Sequence, residues 1–148
     1  MSDFHNTTVV VAFDYGLSKI GAAVGQSITG TATPLPAVKA KKGHANWEVI
    51  KNIVKEWHAE AFVVGMPYNM DGTEQAISQR CKQFARELEQ HFALPVYFID
   101  ERLTTKSAED QLLQQRGKLS KIKRGDVDSY AAKLILETFF RSDSHEGA

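Results

Sequence analysis

The sequence predicts a single α/β domain whose mixed sheet joins an antiparallel β-meander to parallel crossover strands, with helices flanking it. Three observations carry this. Up to Val38 the apolar residues fall into three strand-sized runs joined by short links. From Asn46 onward they recur at three- and four-residue steps, the period of a helix. Strand-sized and helix-sized segments then alternate, as in crossover units laid over a parallel sheet. At 148 residues, 43% of them hydrophobic and 24% charged, the chain can bury one core, and wholesale disorder is excluded.

Taken in order, residues 1–7 read as a loose start and residues 8–13, rich in valine and ending on Phe13, as a buried strand. Residues 19–26 form a second strand, in which Gly21 and Gly25 fit a bend or a close backbone approach. Residues 28–38 alternate but contain Pro34 and Pro36, which suits a third strand at a sheet edge. Trp47, Ile50, Val54 and Trp57 mark an amphipathic helix entered through Gly43, with Asn46 as its N-cap. Residues 61–65 are another short buried strand. A turn-rich loop follows, with Asp71-Gly72 its strongest signal. Thr73 is the expected cap of the next helix, whose inner face is Ile77, Cys81, Phe84, Leu88 and Phe92. Pro95 opens a fifth strand, 96–99, which runs into Asp100-Glu101-Arg102. A helix is expected from Thr104-Thr105, then a basic link over 117–125. A last helix is expected over 126–140, capped by Asp126, before a loose tail at 141–148. No boundary divides residues 1–148, so five strands and their helices make one domain, with right-handed crossovers.

Composition narrows the function classes. No apolar run is long enough to span a membrane, and the first residues show no secretory pattern. A single cysteine, Cys81, excludes an internal disulfide or a cysteine-rich zinc site, and in an apolar stripe it reads as inert core. A cytoplasmic location is the expectation. Formal net charge is zero, from 18 basic and 18 acidic residues, so distribution matters more than the total. Arg116, Lys118, Lys121, Lys123 and Arg124 form one basic cluster without an acid, and Lys39, Lys41 and Lys42 a second. Taken alone, each reads as a solvated loop.

Chemistry is concentrated in acids at element ends. Asp14 closes the first strand, two residues before Gly16. A buried aspartate must be paired, hydrogen-bonded or bound to a cation, yet Asp and Gly also belong together in turns. On that stretch alone a turn and a site stand level. Glu101 follows the fifth strand. Asp128 falls in the expected first turn of the last helix, where the helix dipole by itself accounts for an acid. Three converging carboxylates would repel one another and require a cation. A hard Mg²⁺ or Mn²⁺ suits them, because His5, His44, His58, His91 and His145 are scattered and supply no softer set. Gly16 and Gly21 have the spacing of a phosphate-binding loop, but Ala22-Ala23 replace its Lys-Ser/Thr. The similar hairpin of actin-like sugar kinases needs a second domain, for which there is no room.

The motifs Phe13-Asp14-Tyr15-Gly16 with Lys19-Ile20-Gly21, Val64-Gly65-Met66-Pro67 with Asn69 to Glu74, Asp100-Glu101-Arg102-Leu103-Thr104-Thr105, and Val127-Asp128-Ser129 occur in this order. Together they resemble the YqgF (RuvX-type) family. That resemblance implies a ribonuclease H-like fold and a metal-dependent nuclease that trims the 5′ end of pre-16S rRNA in pre-ribosomal particles. By position, Asp14, Glu101 and Asp128 match the family's three acids, which would hold Mg²⁺ or Mn²⁺; Asp126 lies close enough to share the role of Asp128. Leu17-Ser18 replaces the more usual Thr-Lys, which removes a basic residue near the site. Lys19, Asn69, Arg102, Thr104, Thr105, Lys121, Lys123 and Arg124 are the candidates for substrate contact. Two other functions fit the same residues. One is a Holliday junction resolvase acting on branched DNA, which requires a dimer. The other is a non-catalytic nucleic-acid-binding factor in ribosome assembly or transcription. A monomer or weak homodimer is expected for the RNA nuclease.

Overall fold

The computed structural model describes residues 8–103 and 129–142. Strands β1 (Val9–Asp14), β2 (Lys19–Gln26), β3 (Thr31–Lys41) and β4 (His44–Ala45) are followed by helix α1 (Trp47–Trp57). Then come β5 (Ala61–Met66), α2 (Ala76–Phe92), β6 (Val96–Asp100) and α3 (Tyr130–Arg141). The sheet order is β4-β3-β2-β1-β5-β6. The first four strands pair antiparallel, whereas β5 runs parallel to β1 and β6 parallel to β5. The carboxyl ends of β1, β5 and β6 therefore lie together at one end of the sheet.

Side-chain alternation assigns the two faces. Val11 and Phe13, Ile20, Ala22 and Val24, and Phe62 and Val64 pack under α1 and α2, against Ile50, Cys81, Phe84 and Leu88. Phe84 anchors this layer, meeting Phe13 edge-on with ring centroids 5.4 Å apart and stacking on Trp47 at 5.6 Å. Val10 and Ala12, Ala23, Val63, Tyr97 and Ile99 pack on the opposite face against Ala132, Ile135, Leu136 and Phe139 of α3. Continuing the same alternation places Asp14, Gly65 and Glu101 on the α3 face. None of the described helices is long and apolar enough to cross a membrane.

The expected mixed sheet is present with six strands rather than five. The additional strand β4 has two residues, and the Lys42-Gly43 turn that returns it onto β3 lies in the stretch expected only to lead into α1. Because β4 pairs only with Ala40 and Lys41, Pro34 and Pro36 remain on an uncovered part of the β3 edge, where a missing N–H costs nothing. Asn46 is the N-cap of α1, though its side chain makes no capping bond. Thr73 does not cap α2. Its hydroxyl and N–H both go to Asp71, and the helix begins later at Gln75, which forms a capping box with Ser78. A helical turn opens at residues 102–103, earlier than Thr104. The last helix runs from Tyr130 with Ser129 at its N-cap, and the expected start at Asp126 and the place of Asp128 lie outside the described residues. Arg141 belongs to that helix and not to the tail. The expected loose start at 1–7, the helix from Thr104 and the basic link lie outside the described residues.

Candidate active site

Asp14 and Glu101 come together at the carboxyl ends of β1 and β6, with β5 between them, and their side chains hydrogen-bond each other. Two strand spacings, about 10 Å, separate the parent strands, so the longer glutamate must reach across the end of β5. Gly65 makes that reach possible. A β-carbon there would stand 2.7 Å from Glu101 Oε1, 2.9 Å from its Cγ and 2.6 Å from Ile135 Cδ1. The backbone of Glu101 is fixed as well, its N–H donating to the Met66 carbonyl at 3.0 Å.

Burial sets the electrostatics. Withdrawal from water raises the Asp14 carboxyl above the usual aspartate range, against the opposing effect of its hydrogen bond with Glu101. Burial, followed by the negative charge of Asp14, pushes Glu101 up to about 8. Glu101 is the member of the pair that holds on to its proton, and it donates that proton to Asp14, the usual division when two carboxyls occupy one poorly solvated site. Cys81 lies on the α2 side, and burial together with the charges of Glu101 and Asp14 pushes its thiol up to about 12. A thiol held that high is no nucleophile, consistent with its place in the core.

An all-oxygen donor set of this kind suits a hard divalent cation in place of the Glu101 proton. Among the described residues no group of three His, Cys, Asp or Glu side chains is assembled, so two carboxylates are the whole of the described set. The third expected acid, Asp128, lies outside the described residues, as does Asp126. The residue joined to Asp128 is firmly placed. Ser129 is fully buried, and its Oγ accepts the Ala22 N–H at 3.0 Å, next to the irregularity in the β2–β3 ladder. Asp128 is thus one peptide unit from an anchor on β2, the immediate neighbour of β1.

The other expected contacts divide. Arg102 is exposed and is held by neighbours on its own side of the site. Its Nε and Nη2 grip the Asp100 carboxylate at 3.0 and 2.6 Å, its Nη1 reaches the Met70 carbonyl at 3.4 Å, and its guanidinium lies over the Tyr68 ring. That pairing holds the Asp100 carboxyl below its ordinary range, so Asp100 stays ionised and turned away from the site. Asn69 likewise works within its loop, donating to Thr73 Oγ1 at 2.9 Å. Lys19 is exposed at the start of β2, opposite Lys39. Thr104, Thr105, Lys121, Lys123 and Arg124 lie outside the described residues.

Two residues shape the site in ways that sequence reasoning does not assign, although both stand in the motifs that carry the family resemblance. Gly65 reads merely as the end of a strand, and the signal that could have found it is a glycine one strand away from two terminal acids. Ser129 falls inside the expected last helix, and only the fold shows its hydroxyl accepting a strand N–H. A third feature lies beside the site. Tyr15, the residue after Asp14, donates its hydroxyl to the Gly43 carbonyl at 2.5 Å, and Arg80 of α2 donates to the Lys42 carbonyl at 3.2 Å. Together they pin the β3–β4 turn to the loop that follows Asp14.

Comparison with known proteins adds a family and a fold. The family model described as RuvX, Holliday junction resolvase, matches residues 8–142. A protein of Glaesserella parasuis serovar 5 named "Putative pre-16S rRNA nuclease" is 51% identical over 135 residues, covering 91% of this chain and 97% of that protein. One of the same name from Escherichia coli O9:H4 is 46% identical over 131 residues, covering 88% and 94%. Among solved structures, Thermus thermophilus RuvC in complex with a Holliday junction substrate superposes with a TM-score of 0.56 at 17% identity, covering 90% of this chain and 94% of that one. The fowlpox virus resolvase in its Holliday junction DNA complex gives 0.53 at 13% identity, covering 91% and 100%. These two likenesses carry the fold alone, that of the ribonuclease H-like resolvases.

Proposed function

Since the chain belongs to the RuvX family, we propose that it is a metal-dependent nuclease that hydrolyses phosphodiester bonds and processes the 5′ end of pre-16S rRNA. The observation that carries this reading is the Asp14–Glu101 pair, two partly buried carboxyls drawn together on the α3 face at the carboxyl end of the sheet. Burial makes both carboxyls costly to ionise and the charge of Asp14 raises Glu101 further, a cost that a bound cation would offset.

Asp14 and Glu101 are the ligands this reading assigns to Mg²⁺ or Mn²⁺, with Asp128 as the third. The cation, when bound, supplies the Lewis acidity that activates water and neutralises the leaving oxygen. The chain's own residues do the rest. Gly65 lets Glu101 reach Asp14, Ser129 fixes the approach to Asp128, and the Asp100–Arg102 pair keeps a fourth acid turned aside. Thr104, Thr105, Lys121, Lys123 and Arg124 remain proposed phosphate contacts. Work on precursor rRNA fits a cytoplasmic protein of ribosome biogenesis, and one chain with all three acids fits a monomer acting on one strand.

The test is a side-by-side cleavage assay with Mg²⁺ or Mn²⁺, offering a 5′-extended pre-16S rRNA fragment and a four-way DNA junction, with Asp14→Asn as control. Metal-dependent cutting of the RNA, lost in the variant, is the expected result. Paired symmetric cuts in the junction by a dimer would assign the resolvase activity instead. Tight RNA binding without a metal-dependent product would make the chain a non-catalytic assembly factor.

A further inference from the structure

The β3 strand changes which face it shows halfway along. At its start Ala32 lies in the α3-side core, which puts even-numbered residues on that face. The register against β2 then slips: Ala22 faces Leu35, but Ile20 faces Val38, so β3 carries one extra residue. Past the slip Val38 and Ala40 pack on the α1/α2 side, so Lys39 and Lys41 turn to the α3 face. Lys19, which pairs across from Lys39 and follows the alternation of Ile20, shows the same face. Without the extra residue both β3 lysines would point to the opposite side, because a one-residue shift inverts every side chain.

From this geometry we infer that the bulge in β3 turns Lys39 and Lys41, beside Lys19, into a basic ledge that carries the phosphate backbone of the RNA strand entering the Asp14–Glu101 site. Lys39 and Lys41 are exposed, and neither pairs with a carboxylate among the described residues. The ledge stands at the same sheet end as the acids. Lys39 is two strands over from Asp14 and two residues further along, about 12 Å away by strand geometry. That is on the order of four steps of a helical strand, far enough to hold substrate without crowding the reacting phosphate. The ledge is also fixed in place. The Ala40 and Gly43 N–H groups donate to the Ser18 and Leu17 carbonyls at 2.9 and 2.8 Å, tying the hairpin to the loop that leaves Asp14.

The inference rests on the proposed nuclease function, and the test separates the two. Binding of a 5′-extended pre-16S rRNA fragment is measured against salt concentration for the full chain carrying Asp14→Asn, so that no product forms. The same measurement is made with Lys39→Ala and Lys41→Ala added together. Loss of two phosphate contacts should flatten the salt slope by about 1.4, at ~0.7 per contact for single-stranded RNA. Lys51→Ala with Lys55→Ala on α1, the opposite side of the sheet, makes the same change in net charge and should leave the slope unaltered. An unchanged slope in the first pair, or equal flattening in both, would overturn the ledge while cleavage by the native chain still stood. If the native chain cut no RNA but the slope fell only for the first pair, the ledge would stand and the nuclease reading would not.

Discussion

The carboxylate of Glu101 lies directly over Gly65, with Oε1 only 2.7 Å from where a β-carbon would stand. A methyl group at that point cannot be accommodated without displacing either the glutamate or Ile135 of α3. Gly65→Ala should therefore still fold, at a cost of about 1–3 kcal/mol from overpacking. Moving the proposed ligand Glu101 by an ångström should cost about 100-fold in cleavage rate. Urea unfolding and RNA cleavage on the same preparation check this. A variant with native turnover would show that Glu101 has slack at Gly65 and that the contact does not position it.

The elevated Glu101 carboxyl makes stability depend on pH in the metal-free protein. Its folded value, about 8, lies above the ordinary 4.5. In that window the unfolded chain gives up the proton while the folded chain keeps it. The contribution to stability is thus complete below about pH 4.5 and is lost as pH rises through about 8. The slope should not exceed ~1.4 kcal/mol per pH unit. Thermal unfolding in EDTA from pH 5 to 9 should show the decline. Mg²⁺ or Mn²⁺ should oppose it most at the alkaline end, where it no longer competes with the Glu101 proton. A flat profile across that range would mean the two carboxylates are better solvated than their burial implies.

Removing the charge of Asp14 separates folding from chemistry. Asn keeps a hydrogen-bonding side chain toward Glu101 while removing the like charge that helps raise it. Asp14→Asn should abolish metal-dependent cleavage, leave the metal-free melting temperature unchanged or higher, and shift the alkaline decline to higher apparent stability. Circular dichroism melts with and without Mn²⁺ would show both effects. Persistent turnover would remove Asp14 from the mechanism.

Most of the architecture was legible because apolar period is a local property. β2 falls at residues 19–26 as expected, and β1, β5, α1 and α2 begin or end within two or three residues of expectation. The acids Asp14 and Glu101 were legible for a similar reason, since a charged residue at the end of a buried strand contradicts its surroundings. What could not be read were relations between distant segments. The bulge in β3 depends on its register against β2, and two prolines in an alternating run do not reveal it. The pairing of Arg102 with Asp100 was likewise not legible, because a carboxylate two residues away could equally have pointed elsewhere. Thr73 and Gln75 are both plausible caps, and the choice between them follows from Asp71 taking the Thr73 hydroxyl.

Ser129 joins the last helix to the sheet through one buried hydrogen bond, from the Ala22 N–H at 3.0 Å. Ser129→Ala leaves that N–H without its acceptor in the core, a loss of about 1–3 kcal/mol. It should also release the segment that carries Asp128, so cleavage should fall by more than the change in folded fraction explains. Ser129→Thr, which keeps the hydroxyl, should restore much of both. If the alanine variant lost stability in this range but cleaved normally once folded, the bond would be structural and would play no part in placing Asp128.

Lys42 occupies a backbone conformation that suits it poorly. It has φ +52° and Gly43 has φ +85°, the pair of positive values that a two-residue type I′ hairpin turn demands. Asn is favoured at the first of these positions because its short polar side chain tolerates left-handed geometry, whereas a lysine is strained there. Lys42→Asn should stabilise the protein by ~0.5–1 kcal/mol, and a β-branched residue in the same place, Lys42→Val, should destabilise it by a similar amount or more. The bonds to this turn from Arg80 and Tyr15 run to the Lys42 and Gly43 carbonyls, so neither substitution removes them. The difference between the two variants in urea midpoint therefore reports turn strain alone. Equal midpoints would mean that the Lys42 carbonyl contact with Arg80, and not the backbone preference, decides the turn.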